Sequence, residues 1–298
     1  FGSRAVVVFQ VDKYSPPLRT RAMRSLSAVI LALSSLGVAS ASGPVVVTGA
    51  TGKTGLLTYQ LLKSRGIEVR AVVRNITKAR ELFSCKACDA SEGIFVADVT
   101  KAEELVEPMK GASALVILTS AAPKCNPFPK CTYPAGAYPI DVDFHAGKNQ
   151  VEAFAKGAAS PVGPVVLVSS AGTTEPDSAL DKMGNGHISF FKLNLEAFLM
   201  SSMLPFTVIK PCGLGSGAPA QNELVVGHDD SEDWDLSFPI ARADVARVVA
   251  EALKAKQGLR FDLCAKAKGT ATSDAELPGL LRAAAYPWQR SSLEEVRV

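Results

Sequence analysis

The chain has 298 residues, 47% of them hydrophobic and 20% charged, enough for one large globular domain with a sizeable core. Its net charge of +3 sits at the start, where Arg4, Lys13, Arg19, Arg21 and Arg24 face only Asp12, so the chain beyond residue 42 is close to neutral. A near-neutral domain with both signs interspersed offers no electrostatic footprint for nucleic acid or an anionic membrane surface, and neither is expected as a partner.

Residues 1–42 read as a leader. Met23 suits a start better than Phe1, and after it come Arg24, an apolar stretch from Leu26 to Val38 and the small-x-small run Ala39-Ser40-Ala41, the layout of a cleaved signal peptide over 23–41. An uncleaved anchor or a plain leader are the alternatives. The apolar stretch falls short of the roughly 20 residues a membrane span needs, and nothing later is long enough, so stable membrane insertion of the mature domain is not expected. Entry to the secretory route fits an endomembrane lumen. It also fits a plastid in algae that deliver plastid proteins by that route, and the plastid is slightly favoured.

From Pro44 onward, β-branched runs alternate with amphipathic stretches, the pattern of a doubly wound parallel α/β sheet. Strands are expected at 44–48, 67–73, 93–97, 114–118, 165–169, 206–210 and 259–263. Helices are expected at 52–64, 102–109, 142–156, 191–202 and 243–256. Residues 43–298 therefore read as a single Rossmann-type domain. Two irregular stretches, Ser120 to Pro139 and Gly213 to Pro239, each follow the carboxyl end of a strand, where open α/β sheets bind ligands, and are the expected substrate-side loops.

The first strand runs through Gly49-Ala50-Thr51-Gly52-Lys53-Thr54-Gly55 into the first helix. Gly49 permits the tight turn, Gly52 lets a pyrophosphate approach the backbone, and Gly55 lets the helix pack closely on the strand. Gly52-Lys53-Thr54 resembles the end of a P-loop, but that motif needs a glycine where Val47 stands, which argues against a kinase or nucleotide triphosphatase. Beyond the second strand stands Arg74, where NAD-specific domains commonly place an acid; with Lys53 as a second cation it suits the 2′-phosphate of NADP. Asp98, beyond the third strand, suits either the adenine amino group or the start of the next helix.

The glycine turn, Asp98-Val99, Leu115 to Ser120, Lys148-Asn149-Gln150, Ser169-Ser170-Ala171-Gly172 and Lys210-Pro211-Cys212-Gly213-Leu214 together resemble the atypical short-chain dehydrogenase/reductases of the NmrA-like branch, over nearly all of residues 44–270. Glu175-Pro176-Asp177, Lys182-Met183-Gly184-Asn185-Gly186, Lys192 and Phe261-Asp262-Leu263 resemble a plant and algal group within it. The resemblance implies a bound NADP(H). The expected contacts are Gly49, Thr51, Gly52, Lys53, Thr54 and Gly55 in the turn, Arg74, Asp98 and Val99, then Thr119, Ser120 and Ala121 after the fourth strand. Ser169, Lys192, Pro211, Cys212, Gly213 and Leu214 complete the set.

Members of the wider superfamily pair this lysine with a tyrosine four residues earlier, the proton donor to a carbonyl. Here that position is Ile188. Lys192 is expected to hold the nicotinamide ribose and Ser169 or Ser170 to orient a carbonyl, with Tyr138, Tyr133 or His187 as substitute acids, each of which also has a plain packing or capping role open to it. Of these, Tyr138 is the catalytic candidate beside Lys192 and Ser169. The cysteines allow local pairing of Cys85 with Cys88 and of Cys125 with Cys131, or regulated thiols, in preference to a metal; Cys212 and Cys264 read as buried strand-end and core residues. The expected function is NADPH-dependent reduction of a small carbonyl or conjugated substrate. The alternative is a non-catalytic NADP(H) sensor working through a protein partner; a nucleotide-sugar epimerase, which needs the same tyrosine, ranks last.

Overall fold

The computed structural model describes residues 43–127, 130–175, 177–231, 238–255, 258–286 and 289. The expected leader, with the expected signal peptide, lies outside the described residues, as do Pro176, Lys256 and residues 232–237 of the second irregular stretch.

Eight strands form the main sheet: β1 (Val45–Thr48), β2 (Val69–Val73), β3 (Ile94–Val96), β4 (Ala114–Ile117), β5 (Val165–Val168), β6 (Phe206–Pro211), β7 (Glu223–Gly227) and β8 (Leu259–Lys266). Their order is β7-β8-β6-β5-β4-β1-β2-β3, all parallel except β7, which pairs antiparallel with β8. The strand order therefore reverses between β1 and β4, creating a crevice at their carboxyl ends.

The helices are α1 (Lys53–Ser64), α2 (Ile76–Phe83), α3 (Val106–Met109), α4 (Ala146–Gly157), α5 (Ile188–Ser201), α6 (Arg242–Ala252) and α7 (Leu277–Ala283). They cover both faces. Because successive side chains in a strand point to opposite sides, Val45 and Val47 join one core with Tyr59 and Leu62 of α1 and Val245 and Val249 of α6. Val46 joins the other, with Val151 and Phe154 of α4 and Leu195 and Leu199 of α5. Burial on both faces explains why the strands read as unbroken apolar runs. Each fully buried Val or Leu adds about 1.5–3 kcal/mol.

All seven expected strands and all five expected helices are present, with shifted ends. The 102–109 stretch is a 3-10 turn (Ala102–Leu105) leading into α3, and the helix expected from residue 142 begins with a wide π-helical turn, Ile140–His145, before α4. Elements absent from the sequence reading are α2, α7, β7 and two short ribbons, one pairing Lys124–Cys125 with Cys131–Thr132 and one pairing Leu214–Gly215 with Ile240–Ala241. No described helix is long and apolar enough to cross a membrane.

All six cysteines are paired: Cys85–Cys88, Cys125–Cys131 and Cys212–Cys264. The two local bonds match the expected pairings. Cys212 and Cys264 correct the expectation of buried single residues: β6 and β8 are sheet neighbours, so the half-buried sulfurs meet across the two strands.

Candidate functional site

The glycine turn crosses the crevice between β1 and β4. Gly49 has φ +66°, and a Cβ there would lie 2.7 Å from the Leu118 carbonyl oxygen; one on Gly55 would lie 2.1 Å from the Gly49 oxygen. Glycine at both positions lets β1, the turn and α1 pack without a gap. Gly52 begins α1 with no side-chain cap and no acid in the first turn, so the first backbone N–H groups stay available to an anion.

A cavity of about 410 Å³ opens on this turn, lined by Gly49, Thr51, Gly52, Val72, Arg74, Asn75, Lys78, Ala97, Val99, Leu118, Thr119, Ser120 and Val142. Eight of these stand at the carboxyl ends of β1 to β4. Arg74 and Lys78 are exposed cations at its rim, and among the described residues neither has an ion-pair partner. Lys78 escaped the sequence reading because α2 did; Asn75 caps that helix by accepting from the Lys78 N–H at 3.0 Å, which sets Lys78 one turn from Arg74. Lys53 and Thr54 lie at the start of α1, with Lys53 exposed and outside the lining.

Asp98 accepts from the backbone N–H and hydroxyl of Thr100 at 3.0 and 2.8 Å. Partial burial works against the Asp98 charge, but these bonds and nearby Arg74 outweigh it and hold the carboxyl below its usual range. The acid thus shapes the turn after β3 and faces the cation at the end of β2.

Lys192 projects from α5 and is 9% exposed; its Nζ lies 2.7 Å from Oδ1 of Asp143, whose side chain is 1% exposed. Oδ2 of Asp143 accepts the Ala121 N–H at 2.9 Å, so the carboxylate ties the end of β4 to α5. The sequence gives no local sign of Asp143, because only the fold brings the π-turn against α5. Gln150 of α4 donates to Thr119 Oγ1 at 3.1 Å and steadies the same strand end.

A second cavity, about 570 Å³, is lined by Ser169, Ser170, Ala171, Gly172, Glu175, Ser178, Ala179, Leu180, Pro211, Cys212, Gly213, Leu214 and Arg242. It gathers the expected residues after β5 and β6. The Ser169 hydroxyl donates at 2.5 Å to Glu196, which in turn accepts from Arg260 at 2.8 Å. With its proton held by Glu196, Ser169 faces the cavity as an acceptor; Ser170, bonded to the Ala171 carbonyl oxygen, keeps a hydroxyl that can turn.

Of the substitute acids, His187 is an exposed residue whose Nδ1 lies 3.0 Å from Asp181, and Asp181, not His187, caps α5 by accepting the Phe190 N–H. Tyr138 is 39% exposed and its ring sits 5.8 Å from that of Tyr133, which is 5% exposed.

These residues suit a dinucleotide. The test is steric: a Cβ at Gly49 or Gly55 would collide with backbone, and the capless helix start beside the exposed Arg74 and Lys78 offers the donors and charge that a dinucleotide's phosphates need.

Comparison with known proteins agrees. Residues 49–256 match the family model described as NAD(P)H-binding. An uncharacterised chloroplastic protein of Arabidopsis thaliana is 35% identical over 79% of this chain and 74% of its own length. Sanguinarine reductase of Eschscholzia californica is 32% identical over 82% of this chain and 97% of its own. A solved structure from Bacillus halodurans, assigned as an NAD-dependent epimerase/dehydratase, covers 80% of this chain and 100% of its own with a TM-score of 0.61 at 24% identity, a likeness of fold.

Proposed function

Because the chain belongs to the NAD(P)H-binding family, we propose that it is an NADPH-dependent reductase of a small carbonyl or conjugated substrate bound in the second cavity. The observation that carries this reading is the first cavity, in which a phosphate-accepting glycine turn faces Arg74 and Lys78 and no acid stands at the end of β2. Those cations favour a 2′-phosphate over bare ribose hydroxyls. The reductase named among its relatives supports the reaction class.

When bound, the cofactor supplies a hydride. The protein's part is placement: Lys192 donates to the nicotinamide ribose while Asp143 fixes its ammonium, and Pro211 to Leu214 wall the substrate side. Ser169 presents an acceptor and Ser170 a hydroxyl to the substrate. The chloroplastic relative supports a plastid address for residues 43–298, with residues 1–42 as the removable leader.

A second reading, a non-catalytic NADP(H) sensor with a protein partner, is favoured by Ile188 in the tyrosine position. The two separate in one assay. The full chain with NADPH and a panel of quinones, aldehydes and flavins is expected to oxidise the cofactor with at least one member. Tight NADPH binding with no turnover anywhere in the panel would replace the reductase by the sensor.

A further inference from the structure

Arg242, the first residue of α6, lines the second cavity and is half-buried. Its Nη1 donates to the Gly215 carbonyl oxygen at 3.0 Å. Gly215 belongs to the ribbon that pairs Leu214–Gly215 with Ile240–Ala241, so the guanidinium is fastened to the segment next to its own. A guanidinium carries five N–H donors in a rigid fork, and the Gly215 carbonyl engages one side of it.

Among the described residues no carboxylate lies within ion-pair distance of Arg242. The two buried arginines differ from it in this respect: Arg247 meets Asp244 and Asp274, and Arg260 meets Glu196 and Asp229. The other ionisable residue lining the cavity, Glu175, is exposed and makes no ion pair with Arg242. Much of the remaining wall is apolar, from Ala171, Leu180, Pro211 and Leu214. A half-buried cation without a counter-ion is costly, and an anionic ligand offsets that cost.

We propose that the second cavity takes a carbonyl compound with an apolar body and a carboxylate, and that Arg242 binds the carboxylate; this rests on the reductase reading above. The planar fork of an arginine matches the two oxygens of a carboxylate, which a lysine ammonium does not. Arg242 is thereby a specificity residue: it selects the charged substrate over its neutral analogue. The apolar wall holds the body of the molecule, and Ser169 and Ser170 supply the neutral polar contacts of the same cavity.

The test uses the full chain with saturating NADP⁺ and calorimetric binding of naphthoate, the uncharged naphthamide and the cation naphthylmethylammonium, which share one apolar body. Naphthoate is expected to bind at least about tenfold more tightly than either, the scale of a charge-assisted hydrogen bond. Arg242→Gln keeps a donor for the Gly215 carbonyl but loses the charge; it should bring naphthoate down to the amide and leave NADP⁺ affinity unchanged. In turnover, para-formylbenzoate should show a KM lower than its methyl ester by a similar factor, and the difference should vanish in Arg242→Gln. Equal binding of acid and amide by the wild type, preference for the cation, which would make Glu175 the selecting charge, or an Arg242→Gln variant that keeps the wild-type order overturns the anion site. The wild-type order decides the matter even where a variant does not fold. Turnover of both aldehydes with equal KM leaves the reductase standing without the anion site; no turnover of any carbonyl, with naphthoate binding that depends on Arg242, overturns the reductase reading and leaves the anion site standing.

Discussion

Replacing Lys210 by Met is expected to destabilise the protein by about 3–5 kcal/mol, the cost of leaving buried charge without its partner. Lys210 sits in β6 with a fully buried side chain, its Nζ 2.9 Å from Asp230 and 2.8 Å from Asp262, which are equally buried. Asp262 faces it across the β6–β8 register. Asp230 also accepts the N–H groups of Gly172 and Thr174 and the Thr174 hydroxyl. The lysine therefore holds the loop that lines the second cavity.

The pH dependence of this variant identifies the cause. Burial opposes the Asp230 charge, but bonds from Thr174, Gly172 and Lys210 prevail and lower its pKa from 3.8 to about 2. Its stabilisation is thus present above pH 3.8 and lost as pH falls toward 2. Asp262 runs the other way: burial raises its pKa despite Lys210, so its ionisation costs stability as pH rises through the raised value. Without the lysine both carboxyls favour protonation. In urea unfolding, the gap between wild type and Lys210→Met should narrow as pH falls from 7 toward 4. A gap that stays constant, or a variant as stable as the wild type, would remove the ion cluster from the account.

The second large effect is expected at Gly55. In Gly55→Ala the new Cβ would lie 2.1 Å from the Gly49 oxygen and 2.8 Å from its carbon, both backbone atoms, so α1 must shift away from the turn. Overpacking of this kind costs about 1–3 kcal/mol, and because the displaced groups are those meant for the pyrophosphate, NADPH affinity should fall at least roughly tenfold. Gly66→Ala is the comparison. It follows the far end of α1, with φ +72° and open space around it, so it should lose stability through backbone strain while binding NADPH normally. Equal affinity in the two variants would show that the turn does not carry the phosphates.

The parts legible in the sequence are those written in local patterns. The run from Val45 through Gly55 encodes strand, turn and helix in eleven residues, and the β-branched runs mark a sheet buried on both faces. Helix α2 does carry an apolar stripe, Ile76, Ala79 and Phe83, but its eight residues are too few for that periodicity to stand out, and Lys78 was missed with it. Edge strand β7 follows a stretch rich in Gly and Pro and pairs antiparallel, outside the β-α alternation. Asp143, Glu196 and the Lys210–Asp262 pair are long-range meetings: the segments Lys210-Pro211 and Phe261-Asp262 were visible as motifs, but their role as one ion cluster follows from strand order. The Cys212–Cys264 bond has the same origin. Of the two tyrosines in the loop after β4, the sequence reading favours Tyr138, and their burial, 39% exposed for Tyr138 against 5% for Tyr133, follows only from the fold.

The most direct test of the account is parallel calorimetric titration of the full chain with NADPH and NADH, repeated with Arg74→Ala. The account predicts that NADPH binds more tightly than NADH and that Arg74→Ala weakens NADPH toward the NADH value while leaving NADH nearly unchanged. Equal affinities in the wild type, or an Arg74→Ala variant that keeps its preference for NADPH, would contradict the assignment of this cavity to the 2′-phosphate.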